Sequence, residues 1–538
     1  MKKISLFISF ISGAFALHAQ TLDQGVQQIY YKRYHSAENT LSQLVKQDPN
    51  NSTAWYYLEK NYLLENKLDK ANQSIQSAPE NIKTDPWYKV AYGSILLEQG
   101  KKDEAANYFN DALKQTKEKD ADILAAVADA HVNSESGDVN YAIDLLNKAI
   151  KRDKKNASLY VLKGDAYIKQ ANGSEAFKAY EEATKVNDKY AEAYHKLGKL
   201  FVSQKNPEMY VGYFQKAIAA DPSYARSMYR LYIHEFNRHP AKAMEYYNNY
   251  LAKSDRSIEN EYDLADLYFI NKEFDKAIQK ADAIVKTEGE KVQPRLYKLI
   301  SYSYAEQKDS ARAYDYIQKY FEKEVDSNMV AKDYLLRGDL YAALNENDSL
   351  AFVYYDKAVS LEKNAAELEN YYKHFAELAA KNQNFSQQAK WLGKYYTSTD
   401  KGTNIDLFNW GLAHYRAEEF TAADSVFGMY VAKYPDQSFG YYWQAKAKAL
   451  QDQDMSQGLA IPGYLKLVEV LEKNPTDPNY KKWMVESFAY LAAYETNTEK
   501  DYAEAVSYFE KVLKVDPENE DAKKYIDLLA KNLEKGSK

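Results

Sequence analysis

Large apolar residues and small residues recur along most of the chain at the spacing of one helix face. In AYHKLGKLF (193–201), large residues fall at i, i+3 and i+7, and a small residue falls at i+4. A second kind of segment has small or aromatic residues at i, i+4 and i+7, as at Ala105, Phe109 and Ala112. Both spacings place these residues on one side of an α-helix. Because short polar turns such as 98–103 join the segments, the pattern predicts paired amphipathic helices.

The pattern repeats with a period of 34 residues. Tyr160 and Tyr194, and likewise Gly164 and Gly198, are separated by this distance. A repeat of this length indicates an array of stacked units. The units are predicted to start near residues 18, 52, 86, 123, 157, 191, 224, 258, 294, 331, 369, 404, 438 and 480. Proline cannot continue a helix, so the prolines that close many units mark their ends: Pro49, Pro222, Pro435, Pro475 and Pro517.

This repeat resembles the tetratricopeptide repeat (TPR) family, whose unit is a helix–turn–helix of 34 residues. The segment 409–415 with Ala423, Phe427 and Pro435 fits the family pattern at nearly every position. Other units depart from it: Tyr320 stands where the family prefers alanine, and an insertion lies at 451–463. The resemblance implies an all-α fold, a right-handed α–α superhelical solenoid of about fourteen helix pairs.

The domain prediction has three parts. Residues 1–19 are predicted to be a cleaved export signal, residues 20–517 a continuous TPR-like solenoid, and residues 518–538 a C-terminal capping helix and tail. A repeat array needs such a polar closing helix at its end.

The N-terminus predicts export. Lys2 and Lys3 precede an apolar run of 14 residues (4–17), which is shorter than the roughly 20 residues that span a bilayer. An uncleaved anchor or a buried helix is the alternative. The chain has no cysteine to carry a lipid anchor, so a periplasmic or otherwise exported protein is expected. We predict no transmembrane segment in the mature chain.

Composition and net charge limit the kinds of fold and ligand that this chain can have. The 538 residues include only 19 Gly and 12 Pro but 51 Tyr, which favours long helices with tyrosine-rich seams. A net charge of -7 argues against nucleic-acid binding, which usually needs a basic face.

No arrangement of residues indicates an active site. His234 and His239 are five residues apart, which places them about 140° apart around a helix, so they are not expected to share a metal. There is no glycine-rich phosphate loop and no G-x-S-x-G motif. We therefore predict no catalytic residues, no metal and no cofactor. An enzyme with a site built from distant repeats is the less favoured alternative.

The TPR resemblance also implies where a partner binds, because the fifth, ninth and twelfth residues of each unit line the concave groove. A non-enzymatic scaffold for a partner protein or peptide is therefore the leading hypothesis, and a carbohydrate or cell-wall ligand is the alternative because tyrosines stack on sugars as well as on peptides. The groove candidates are Tyr56, Lys60, Asp165, His195, Lys199, Tyr232, Tyr262, Asp266, Phe269, Lys298, Tyr302, Tyr415, Tyr442 and Lys446.

Overall fold

The computed structural model describes residues 21–344 and 349–536, and the predicted export signal lies outside them. Within these ranges the chain forms 29 α-helices and no strand. The first sixteen are α1 (Leu22–Tyr30), α2 (Tyr34–Gln47), α3 (Ser52–Leu64), α4 (Leu68–Gln76), α5 (Pro86–Glu98), α6 (Lys102–Gln115), α7 (Ala121–Asn133), α8 (Val139–Arg152), α9 (Ala157–Lys169), α10 (Gly173–Val186), α11 (Ala191–Ser203), α12 (Pro207–Ala220), α13 (Arg226–Glu235), α14 (Pro240–Leu251), α15 (Ile258–Ile270) and α16 (Phe274–Glu288).

The remaining helices are α17 (Arg295–Glu306), α18 (Ser310–Lys323), α19 (Ala331–Leu344), α20 (Ser349–Leu361), α21 (Ala365–Lys381), α22 (Phe385–Ser398), α23 (Asn404–Arg416), α24 (Phe420–Lys433), α25 (Ser438–Gln451), α26 (Ile461–Lys473), α27 (Tyr480–Tyr494), α28 (Tyr502–Val515) and α29 (Glu520–Gly536). The chain divides into two compact units, each of which contains several repeats. The first unit ends at Ser303 and the second unit begins at Tyr304.

Consecutive helices pack as pairs, as the repeat predicts. The first helices of nine pairs begin at the predicted residues: 52, 86, 157, 191, 258, 331, 404, 438 and 480. Helices α1 to α28 make fourteen pairs, and α29 packs on α28 with Tyr525 stacked on Phe509, ring centroids 5.3 Å apart. The all-α architecture of about fourteen helix pairs with a C-terminal capping helix is confirmed.

Local sequence signals set the helix ends. The Asn51 side chain accepts a hydrogen bond from the Ala54 N–H at 3.0 Å and so caps the start of α3. Pro86 and Pro207 occupy the first turns of α5 and α12, where a missing N–H costs nothing. The five unit-end prolines each lie two residues beyond the end of a second helix: α2, α12, α24, α26 and α28. Their predicted role as helix terminators is confirmed.

A small residue sits where the two helices of a pair cross. In the sixth pair, a Cβ built on Gly198 would lie 2.5 Å from Cε1 of Phe214, which is fully buried on α12. The same relation holds for the glycines of five other pairs: Gly25, Gly93, Gly164, Gly338 and Gly411. The second pair is an exception, because Glu59 takes this place on α3 and is 1% exposed.

Within the first unit, the N-terminal pair α1–α2 also contacts helices that lie far away in sequence. The Tyr30 ring lies 5.4 Å from that of Tyr190 and 5.2 Å from that of Tyr224. The Tyr31 hydroxyl donates to Asp221 at 2.9 Å. On α2, the Ser36 N–H and hydroxyl donate to Asp255 at 3.0 and 2.5 Å. The first repeat therefore packs directly against residues 190–255.

The predicted insertion lies between α25 and α26. Asp452 is buried there, and its carboxylate accepts backbone N–H bonds from Gln457 at 3.1 Å and Leu459 at 3.1 Å. One buried carboxylate thus satisfies the otherwise unpaired donors of this loop.

Candidate interaction surface

The predicted groove residues all lie on the first helix of a pair. They are carried by α3, α9, α11, α13, α15, α17, α23 and α25. Several first helices of successive pairs are neighbours, among them α3 and α5, α9 and α11, and α23 and α25, so residues on such helices can line a common surface. The structure brings the candidates together in separate groups, eleven in the first unit and three in the second.

The first group lies in a cleft of about 310 Å³ built by α3, α5 and α7. Tyr56 and Lys60 line it, together with Leu63, Ser94 and Asp129. The Lys60 ammonium is 2.8 Å from the Asp129 carboxylate. Burial works against the charge on Lys60, but the Asp129 carboxylate outweighs it and raises the lysine pKa. Lys60 therefore enters the cleft as half of an ion pair.

Glu59 is a further residue of this cleft that the sequence did not single out. Burial raises the pKa of its carboxyl group to about 9, and the Ser74 hydroxyl opposes this only weakly. Neither carboxyl oxygen has a hydrogen-bond partner of normal geometry. Glu59 is therefore neutral at pH 7.

The second group surrounds the junction of α11 and α13. His195 is 1% exposed, and its Nδ1 lies 3.0 Å from the Ser227 hydroxyl. Burial holds the His195 pKa well below its usual value, and Arg226 adds to this effect. Lys199 is exposed, one turn further along α11. The imidazole is thus neutral and enclosed, whereas Lys199 faces solvent.

Asp165 is already occupied by its neighbours. Its carboxylate accepts hydrogen bonds from the Lys196 ammonium at 2.6 Å and from the Tyr180 hydroxyl at 2.6 Å. Asp165 thereby links α9 to α10 and α11. A partner that contacted the Asp165 carboxylate would therefore have to share it with Lys196.

The candidates on α13 and α15 are also partly enclosed. Tyr232 and Tyr262 are buried, and the Tyr262 hydroxyl accepts the Gln293 N–H at 3.0 Å. Asp266 lies 2.6 Å from the Arg295 guanidinium. Burial raises the pKa of Asp266, and Arg295 opposes that rise.

Three further candidates of the first unit also keep part of their side chains exposed. The Phe269 ring packs 5.7 Å from that of Phe274, at the turn between α15 and α16. On α17, the Lys298 ammonium lies 6.0 Å from the Tyr302 ring centroid, within reach of a cation–π interaction.

The second unit has a cleft of about 420 Å³ formed by α23, α25, α26 and α27. Tyr415 and Lys446 line it with Tyr464, Glu486 and Tyr490. The Glu486 carboxylate joins two predicted residues, because it accepts the Lys446 ammonium at 2.9 Å and the Tyr442 hydroxyl at 3.0 Å. Tyr442 itself is stacked on Trp483 at 4.3 Å between ring centroids and is buried. The sequence predicted three residues of this site and missed Tyr464, Glu486 and Tyr490.

The histidine pair does not share a ligand position. His234 Nδ1 lies 2.8 Å from the Tyr210 hydroxyl, and His239 Nδ1 lies 2.6 Å from the Glu235 carboxylate. Across residues 21–344 and 349–533, no group of three or more His, Asp or Glu side chains is arranged to hold a metal ion. Among the described helices, none is long and apolar enough to cross a membrane.

Two family models agree with the helix pairs seen in the structure. A tetratricopeptide-repeat model matches residues 91–157 and 161–225, and a second one matches residues 488–519. The chain contains tetratricopeptide repeats in these ranges. The matched ranges lie on α5 to α12 and on the C-terminal pair, so they include α11 and two helices of the first-unit cleft, α5 and α7, but not α3. No curated protein matches the sequence.

Several solved structures align with parts of this chain. The C-terminal part of a TPR repeat-containing protein from Cytophaga hutchinsonii is 27% identical over 49% of this chain and 99% of its own, with a TM-score of 0.28. A tetratricopeptide repeat protein from Parabacteroides merdae is 18% identical over 47% of this chain and 96% of its own, with a TM-score of 0.30. MamA is 18% identical over 38% of this chain and 99% of its own, with a TM-score of 0.22.

Proposed function

We propose that this TPR protein is a non-enzymatic scaffold of the bacterial cell envelope that holds a partner protein or peptide against the first helices of its pairs. TPR repeats in general support protein–protein interaction. The observation that carries the proposal is that predicted groove residues line a cleft in each unit: Tyr56 and Lys60 in the first, Tyr415 and Lys446 in the second.

The chemistry of both clefts suits a peptide. Each combines aromatic or aliphatic side chains with one lysine–carboxylate pair, Lys60–Asp129 or Lys446–Glu486. Apolar walls supply contact area, and fixed charges orient polar backbone and side-chain groups of a bound segment. Tyrosine adds contact area with little loss of side-chain entropy.

The proposal is tested by site-specific photo-crosslinking in cell-envelope extract. A benzoyl-phenylalanine is placed at Leu63 in the first cleft or at Tyr415 in the second. The matched controls carry it at Val353 and Met429, which are exposed on second helices (59% and 44%). We expect one defined partner to be crosslinked from the cleft positions, to be competed by unlabelled protein, and to be absent from the controls. Equal crosslinking from Val353 and Met429 would contradict the assignment of the surface.

The same extract separates a protein partner from the carbohydrate alternative. Treatment with a protease before crosslinking is expected to abolish the product, whereas treatment with a peptidoglycan hydrolase is expected to leave it. The reverse result, together with sedimentation of the protein with purified peptidoglycan, would establish a cell-wall ligand instead.

A further inference from the structure

Four basic side chains of the first unit lie in one region without a carboxylate at ion-pair distance among the described residues. They are Lys32 in the turn between α1 and α2, Lys199 on α11, and Arg226 and Arg230 on α13. We name them the cationic cluster. Its position is unexpected in a chain of net charge -7, in which many lysines are held in short ion pairs.

Two sets of contacts bring these side chains together. The Tyr31 hydroxyl bonded to Asp221, and the Tyr30 ring packed on Tyr224, hold the α1–α2 turn against the start of α13. Lys32 is the next residue of that turn. The His195–Ser227 contact of 3.0 Å joins α11 to α13.

Helix periodicity then aligns the charges. Arg226 and Arg230 are four residues apart on α13, and His195 and Lys199 are four residues apart on α11, so each pair lies on one helix face. Since Ser227, which contacts His195, directly follows Arg226, the Arg226 end of α13 lies beside α11.

The basic groups act on one another in this arrangement. Burial lowers the pKa of Lys32, and Arg226 and Lys196 lower it further, although Glu192 opposes them. Burial likewise lowers the pKa of Lys199, and Lys196, Arg226 and Arg230 add to this effect, although Asp165 opposes them. Clustered like charges in a partly buried place are unfavourable unless an anion joins them.

The nearby carboxylates are already engaged. Asp165 holds Lys196 at 2.6 Å, and Asp129 holds Lys60 at 2.8 Å. Glu192 is within 3.3 Å of the Tyr190 hydroxyl. Of these three carboxylates only Glu192 lacks a lysine partner within the described residues, so the four cations of the cluster outnumber the carboxylates that remain to balance them.

A buried polar group beside the cationic cluster also lacks a partner in the described part of the chain. His195 is 1% exposed, yet its Nε2 has no hydrogen-bond partner. An unpaired buried polar atom costs stability. It lies on the same face of α11 as Lys199.

We propose that Lys32, Lys199, Arg226 and Arg230 form a binding site for an acidic peptide segment of a partner protein. The inference rests on the proposed scaffold function and specifies the chemistry of its partner. Neighbouring helices lie about 8–10 Å apart, so charges on α11, on α13 and in the α1–α2 turn are spread over more than the size of one phosphate. Successive carboxylates of an extended chain match that spread.

The site is tested by the fluorescence anisotropy of a fluorescein-labelled hexaglutamate peptide at low ionic strength, where exposed charges are least screened. The test variant is R226Q/R230Q. Its matched control is R152Q/R256Q, which removes the same charge from two exposed arginines elsewhere in the first unit. K32Q measures the contribution of the N-terminal turn. Thermal unfolding of each variant verifies that it is folded.

We expect the wild-type protein to bind the peptide and R226Q/R230Q to bind it at least about tenfold more weakly, the loss typical of a hydrogen bond to a charged group. K32Q should weaken binding several-fold, and the control pair should stay within about twofold. No binding by the wild-type protein, or an equal loss in the control pair, would overturn the proposal.

Competitors identify the class of ligand. Unlabelled hexaglutamate should displace the labelled peptide, whereas hexalysine and inorganic phosphate should not. Displacement by phosphate at the same concentration would reassign the site to small anions, and tighter binding of a hexathymidylate oligonucleotide would reassign it to nucleic acid. If the peptide fails to bind while crosslinking from Leu63 and Tyr415 still captures one partner, the acidic-ligand inference is wrong and the scaffold function stands.

Discussion

Replacing Gly198 with alanine is expected to destabilise the sixth helix pair, whereas the same replacement at Gly212 is expected to stabilise it. Both glycines are inside helices of this pair, Gly198 on α11 and Gly212 on α12. A Cβ at position 198 would lie 2.5 Å from Cε1 and 2.7 Å from Cδ1 of Phe214, but no atom lies within 4 Å of a Cβ at position 212.

The difference between the two variants follows from these contacts. Carbon atoms pack favourably at about 3.5–4 Å. In Gly198→Ala the Phe214 ring therefore has to move by about 1 Å, although Phe214 is fully buried. Overpacking of this kind costs about 1–3 kcal/mol. Both variants also gain about 1 kcal/mol in helix propensity. Gly198→Ala should therefore be about 1–3 kcal/mol less stable than Gly212→Ala.

Hydrogen exchange measured by mass spectrometry is the suitable assay, because repeat arrays open locally and a single unfolding midpoint averages over many pairs. Peptides from α11 and α12 should exchange about 5 to 150 times faster in Gly198→Ala than in Gly212→Ala, which is the same free-energy difference expressed as a ratio. Peptides from α5 and α6, three pairs away, should be unchanged.

Equal protection of α11 and α12 in the two alanine variants would refute the packing argument. A second test uses Phe214→Leu, which removes part of the ring that the new methyl group meets. In that background Gly198→Ala should be much less harmful, and a purely additive result would show that Gly198 and Phe214 are not coupled.

Two further predictions concern residues that the structure singles out. Burial raises the pKa of Glu59 to about 9 against 4.5 in the unfolded chain, so folding should lose stability as the pH rises from about 4.5 to about 9. In urea unfolding, Glu59→Gln should match the wild type at pH 4 and exceed it on the order of 1–3 kcal/mol at pH 7; a gap that does not change with pH would contradict this. Asp255→Ala should cost about 1–3 kcal/mol by leaving the Ser36 N–H without its acceptor. It should speed hydrogen exchange in α1 and α2, and unchanged exchange there would show that the contact is not formed in solution.

The repeat and its helix ends could be predicted from the sequence because they depend on near neighbours in the chain. Helix pairing needs only an apolar stripe, a turn and a small residue at the crossing, all within one 34-residue unit. The start of α3 at Ser52 and the end of α12 before Pro222 are examples. Each was predicted from residues fewer than about 20 positions apart.

The contact of the first repeat with residues 190–255 could not be predicted in this way. Tyr31 and Asp221 are 190 residues apart, and Ser36 and Asp255 are 219 apart. Their meeting depends on small rotations that accumulate from pair to pair, and no spacing in the sequence records that sum. The solvent exposure of individual side chains could not be predicted from the sequence for a similar reason. Residue position assigns Tyr56, Tyr232 and Tyr262 to the first helices, but the next pair decides how deeply they are covered.

The charges of the first helices show which residues are available to a partner. Four predicted contact residues already have internal ion-pair partners: Lys60 with Asp129, Asp165 with Lys196, Asp266 with Arg295, and Lys446 with Glu486.

Each of these ion pairs joins two first helices, so it stabilises the stack before it meets any ligand. Arg226 and Arg230 were not among the predicted residues, yet within the described chain no carboxylate neutralises them. A ligand gains most from charges that the fold leaves unbalanced, since it displaces no existing partner and relieves repulsion. On this surface, we therefore expect the absence of an internal partner to be a better guide to ligand contact than position within the repeat.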